Sequence, residues 1–148
     1  MNKYQPKIVC FSCKFSWGYL ANEADIASKI RNWIPVICTG KIDSTQIMDA
    51  FNKGADGVLI LACPEGNCHY QDGNCEAKKK VYLLQKVLNA LGVEPERLRI
   101  ELGADPEGTK ISQRVQEMRE KLAKLGPFRN SLPTKNQKVS SVRKGAET

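Results

Sequence analysis

Gly57-Val58-Leu59-Ile60-Leu61-Ala62-Cys63 is an unbroken apolar run of strand length. A strand open to water on one face alternates apolar and polar residues. One that stays apolar throughout is buried on both faces, as in a parallel sheet covered by helices. Gly54 and Asp56 before the run and Pro64 after it set its limits. A membrane-spanning helix needs roughly 18 or more apolar residues, and no stretch of the chain reaches that length.

On its N-terminal side, Asp43 and Ser44 can cap a helix that carries Ile47, Met48 and Phe51 and stops at Gly54. Residues 34–38 before it read as a short strand. Residues of about 22–33 read as a helix with Ile26, Ile30 and Trp33 on its apolar face, and 7–11 as a first strand bounded by Pro6. Downstream, a Gly-, Asn- and Asp-rich loop at 64–74 leads to a helix at about 75–91, with Val81, Leu84, Val87, Leu88 and Leu91 inward. A fourth strand follows at Leu98–Leu102. A last helix from near Thr109 then places Ile111, Val115, Met118, Leu122 and Leu125 on one stripe before Gly126-Pro127. The alternation predicts an α/β fold: a single domain with a four-stranded parallel sheet flanked by helices, Rossmann- or flavodoxin-like.

A chain of 148 residues with 41% hydrophobic content can bury a core without disulfides or metal, yet it holds six cysteines and one histidine. Its first residues lead into too short an apolar stretch for a signal peptide, so a cytoplasmic location is expected. In a reducing compartment six cysteines point to free thiols, metal or cluster ligands, or redox chemistry rather than a disulfide framework. The formal charge of +7 is uneven. Residues 129–148 hold Arg129, Lys135, Lys138, Arg143 and Lys144 against Glu147, five cations to one anion. They read as a flexible basic extension to a domain of residues 1–128. With only Phe128 at its root for stacking, the extension reads as solvated, and no nucleic-acid partner is expected.

Cys10, Cys38 and Cys63 fall at or near the C-terminal ends of the first three expected strands, with Cys13 and Cys68 in the loops that leave them. In a parallel sheet those ends share one edge, where α/β folds bind ligands. Thiolates gathered there need a positive centre, and an all-thiolate set suits an iron–sulfur cluster or zinc. Cys38 taken alone reads equally as a small buried hydrophobe. Cys75, at a helix start, is the expected bystander, and a loop histidine such as His69 more often hydrogen-bonds locally than ligates. Lys78-Lys79-Lys80 reads as a solvated helix face or part of a docking surface. No Walker loop, dinucleotide fingerprint, Ser-His-Asp set or carboxylate pair is present, so a self-contained hydrolase or dehydrogenase is not expected.

Cys10-Phe-Ser-Cys13, Cys38-Thr-Gly-Lys41-Ile-Asp43, Phe51-Asn-Lys-Gly54-Ala-Asp-Gly57, Cys63-Pro-Glu-Gly66-Asn-Cys68-His69-Tyr70 with Gly73-Asn74, and Leu91-Gly92-Val93-Glu94-Pro95-Glu96-Arg97-Leu98 stand in this order. Together they resemble the delta subunit of methyl-viologen-reducing (F420-non-reducing) hydrogenase, over about residues 7–127. The resemblance implies a small electron-transfer subunit with one [2Fe–2S] cluster and no substrate-converting site of its own. It also implies partners: a hydrogenase or formate dehydrogenase on one side and the flavin-containing subunit of heterodisulfide reductase on the other. Carried over by position, the family's cysteines are Cys10, Cys13, Cys38, Cys63 and Cys68, five candidates for four iron-ligand places. The chain departs from the family pattern at Ser12, at Cys75 and in the basic extension. Two other readings of the thiols stand beside it: a zinc-stapled interaction module, and a thiol–disulfide oxidoreductase using Cys10 and Cys13.

Overall fold

The structure is a computed structural model that describes residues 4–64 and 72–128. The expected boundary of a basic extension at 129–148 lies outside the described residues, as do Cys68 and His69. Strands β1 (Ile8–Cys13), β2 (Trp33–Val36), β3 (Gly57–Ala62) and β4 (Leu98–Leu102) form one sheet in the order β2-β1-β3-β4, every neighbouring pair parallel. Helices α1 (Glu23–Lys29), α2 (Ser44–Asn52), α3 (Gly73–Ala90) and α4 (Thr109–Leu125) alternate with the strands. Short 3-10 turns at Thr39–Lys41 and Pro95–Arg97 follow β2 and precede β4. The α/β class and the parallel sheet are as the sequence predicts. Among the described residues no helix is long and apolar enough to cross a membrane.

β3 is buried at all six positions because it lies inside the sheet and is covered on both faces. Leu59 and Leu61 share one core with Ile8 and Cys10 of β1, under Ile26 of α1 and Ile111, Met118 and Leu122 of α4. Val58 and Ile60 share the other with Phe11, under Ile47 and Phe51 of α2 and Val81 and Leu88 of α3. Each large aliphatic side chain so buried contributes about 2 kcal/mol. Asp43 caps α2 through a reciprocal pair with Gln46, as its position in the sequence suggests.

Three boundaries move, each for a tertiary reason. β1 runs on to Cys13 because Ser12 and Cys13 pair with Pro35 and Val36. β2 ends at Val36, which leaves Cys38 in the following loop. α1 stops at Lys29, and Asn32 adopts a left-handed φ of 61° that turns the chain into β2.

At the N-terminal end of the sheet, Asp56 accepts from the backbone N–H of Lys7 (2.8 Å) and of Phe128 (3.0 Å). Arg97, fully buried, donates to Glu94 Oε2 (2.7 Å), to the Asp56 carbonyl (3.1 Å) and to the Gly126 carbonyl (2.7 Å). The opposite, C-terminal end is where chain direction matters for function. The chain steps outward from β1 to β2, then returns past β1 to β3 and β4, so the strand order reverses between β1 and β3. Open α/β sheets bind ligands in the crevice at such a reversal.

Candidate metal centre

Cys13 is the last residue of β1 and Cys63 follows the last residue of β3, so both stand at the reversal. Cys38 lies two residues beyond β2, at the entrance to the 3-10 turn. All three are buried, at 2%, 1% and 4% exposure. The Cys13 thiol points at the Ile37 carbonyl (4.0 Å), which brings the loop after β2 over the end of β1. Three of the five expected thiols thus share one edge of three adjacent strands. The fourth edge candidate, Cys68, lies outside the described residues.

Cys10 sits elsewhere. It pairs with Trp33 and Leu59 in the middle of the sheet. At ~3.3 Å per residue it is about 10 Å along β1 from Cys13. Its thiol is fully buried, and burial pushes it up to about 12 from an ordinary 9.0. In the metal-free chain it therefore stays a protonated thiol throughout the neutral range. Because the folded value lies above the unfolded one, its contribution to stability is complete below about pH 9 and is lost as pH rises toward 12. Iodoacetamide at pH 8 should modify the half-exposed Cys75 at least about tenfold faster than Cys10 in the folded apoprotein. Equal rates, read by peptide mass spectrometry, would contradict this placement.

Side chains that carry no metal chemistry hold the edge in shape. Asn74, at the start of α3 and fully buried, donates to the carbonyls of Cys63 (3.1 Å) and Pro64 (2.7 Å), and its amide oxygen accepts from the Cys75 N–H (2.8 Å). It fixes the backbone at Cys63 against α3. Trp17 folds over the reversal and donates its indole N–H to the Ala62 carbonyl (2.8 Å). Trp33 donates to the Ser12 hydroxyl (2.8 Å), which gives the buried polar residue between Cys10 and Cys13 a hydrogen-bond partner. Lys80 donates to the carbonyls of Gly40 (2.7 Å) and Ile42 (3.3 Å) and so holds the loop that carries Cys38. Of the Lys78-Lys79-Lys80 run, then, Lys80 braces the site and is not part of a simple solvated face. None of Asn74, Trp17 and Lys80 has a signal in sequence beyond its type. Asn74 comes nearest, as a polar residue at an expected helix start.

Gly40 makes the close contact behind this arrangement. A Cβ there would lie 2.6 Å from the Cα and 2.8 Å from the carbonyl oxygen of Gly73, both backbone atoms of α3. Neither can swing aside, so Gly40→Ala should cost about 2 kcal/mol or somewhat more. A urea midpoint unchanged from wild type would overturn the contact.

Among the described residues no three His, Cys, Asp or Glu side chains close on one point where a single ion would sit. A two-iron cluster asks less of each point, since its four ligands divide two to each iron. Buried, soft sulfur donors from separate segments fit that group. Buried thiolates there would demand the positive charge a cluster supplies.

A family model described as "Methyl-viologen-reducing hydrogenase, delta subunit" matches residues 8–126. An F420-non-reducing hydrogenase iron-sulfur subunit of Archaeoglobus profundus is 38% identical over 134 residues, covering 86% of this chain and 96% of the relative. An F420-non-reducing hydrogenase vhc iron-sulfur subunit of Methanococcus voltae is 36% identical over 131 residues, 84% and 89% of the two chains. A subunit of the ferredoxin/F(420)H(2)-dependent CoB-CoM heterodisulfide reductase of Methanosarcina acetivorans is 32% identical over 128 residues, 83% of this chain but 16% of that longer one.

Proposed function

The chain belongs to the family of the methyl-viologen-reducing hydrogenase delta subunit, and on that footing we propose that it is a cytoplasmic one-electron relay carrying a single [2Fe–2S] cluster. It passes electrons between a hydrogenase or formate dehydrogenase and the flavin-containing subunit of a heterodisulfide reductase or a similar complex. The observation that carries the reading is the placement of Cys13 and Cys63 at the strand-order reversal, with Cys38 in the adjoining loop on the same edge of the sheet. The relatives' names support the two ends of the relay, one set naming an iron–sulfur component of a hydrogenase and the other a component of heterodisulfide reductase.

Of the five cysteines, Cys13, Cys38, Cys63 and Cys68 are assigned as ligands and Cys10 as the fifth, core thiol. Cys10 would have to leave the middle of a paired strand to reach the edge. The cluster supplies electron transfer without making or breaking bonds to substrate. The chain's part is to hold the ligands rigidly and to exclude water from the inner side. Trp17 and Asn74 both fix the end of β3, and the buried apolar wall of Leu61 and Ile111 belongs to the core beneath it. Burial and outer hydrogen bonds of this kind set a cluster's potential.

Anaerobically purified protein should contain iron and acid-labile sulfide at about two each per chain, and reduction should produce an EPR signal. A colourless, redox-silent protein with stoichiometric zinc would replace the relay with the zinc-stapled module.

A further inference from the structure

The sheet has two outer edges, and the fold treats them differently. In β2, the Asn32 and Val36 carbonyls bond to β1, so residues of the other parity face outward. Pro35 is one of these and has no N–H to offer, which blunts that edge against pairing. In β4, the Gly103 N–H bonds to the Ala62 carbonyl, so the backbone N–H and C=O groups of Leu98, Ile100 and Leu102 face outward. Leu98 is already satisfied, its N–H by Pro95 and its carbonyl by Gln85 at 2.6 Å. Ile100 and Leu102 remain, with two donors and two acceptors in a row and no hydrogen-bond partner among the described residues. That is one repeat of a strand ladder.

The surroundings of this edge are apolar at the floor and cationic at the rim. A hollow of about 400 Å³ opens beside it between α3 and β4, floored by Val81, Tyr82 and Ile100 and rimmed by Lys79 and Arg99. A second, of about 330 Å³, continues on the far side of Arg99 toward Met118 and Lys121 of α4. Gln85 and Arg99 line both, so the two form one groove along the strand. Glu96 is the one acid among the lining residues of the two hollows.

We infer that the β4 edge is a docking site for an extended, acidic segment of another protein, which adds as a fifth strand alongside Ile100 and Leu102 and places an apolar side chain over Tyr82. Main-chain bonds would supply affinity, and the hollow and the cations would supply selection. Charge decides against the other occupants. The chain's own residues 129–148 are strongly basic, and a second copy would bring the same cationic groove with it.

No cysteine enters this site, so it is tested separately from the cluster. The complex formed in the source cells is purified through a tag on this chain and treated with a carbodiimide, which joins amines to carboxylates at zero length. Lys79 and Lys121 should become linked to Asp or Glu residues of one short segment of a second protein. In the same complex, hydrogen exchange at Ile100 and Leu102 should slow at least about tenfold relative to the isolated chain, with Trp33 unchanged. A Lys79→Glu, Arg99→Glu variant with unchanged thermal unfolding should lose both effects. Links only between copies of this chain, free-chain exchange at residues 98–103, recovery of no second protein, or full retention by the charge-reversed variant would each overturn the inference.

Discussion

Chains carrying Cys13→Ser, Cys38→Ser, Cys63→Ser or Cys68→Ser should bind iron at least about tenfold more weakly than wild type, since even outer partners of metal ligands cost that much when removed. Serine keeps the size of the side chain but replaces a soft thiolate with a hydroxyl that does not ionise near neutral pH. The iron it should hold therefore lacks a fourth compatible donor. Cys10→Ala is the discriminating member of the series. Cys10 lies level with Leu59, about 10 Å from Cys13. Its loss should leave iron content and the EPR spectrum intact and cost about 1 kcal/mol for the missing core sulfur. Iron and sulfide assays on anaerobically purified variants, with urea unfolding, separate the two effects. Loss of iron from Cys10→Ala, with retention in one of the other four, would reverse the ligand assignment.

The second large effect is expected far from the cysteine edge. Arg97→Ala should lower stability by about 3–5 kcal/mol, the range for breaking a buried charged network by removing one partner. Arg97 has no exposed surface and spends three donors on Glu94, Asp56 and Gly126. Its guanidinium also lies 5.7 Å from the centre of the Phe128 ring, which stacks on Phe51 of α2. Removing it leaves a cavity and takes the donor from a buried carbonyl. Glu94 keeps some access to water, which holds the cost toward the lower end. Arg97→Lys should recover only part, because an ammonium cannot reproduce the planar fork. A loss under about 1 kcal/mol would mean that the network relaxes into another set of partners.

How much of this is legible in the sequence depends on whether the signal is local. The β3 run announces its own burial, and the helix-strand alternation around it fixes the class and the edge that carries Cys13, Cys38 and Cys63. The inward position of Cys10 is not legible. Strand length in β1 is decided by pairing of Ser12 and Cys13 with residues more than twenty positions away, and a CxxC motif does not say which thiol ends the strand. Arg97 is hidden for a related reason, since a charged residue is by default assigned to the surface. Its burial follows from three carbonyl and carboxylate oxygens that only the fold assembles. The near-contact of Gly40 with Gly73 joins two segments that sequence leaves unrelated. Lys80 stands with its two neighbours in one charged run, although helix geometry turns them to different sides.

Asp56 takes the backbone of Lys7 on one oxygen and that of Phe128 on the other. The two ends of the fold are therefore drawn together at a single corner, across the length of the sheet from the thiols. A unit wired this way is portable. It can be grafted onto a longer polypeptide, or cut loose from one, through a single junction that never crosses the cysteine-bearing edge. Its relatives occur in both forms, as chains of similar length and as a sixth or less of a larger protein. One carboxylate at the base of the sheet gives a physical reason why either arrangement leaves the cysteine edge untouched.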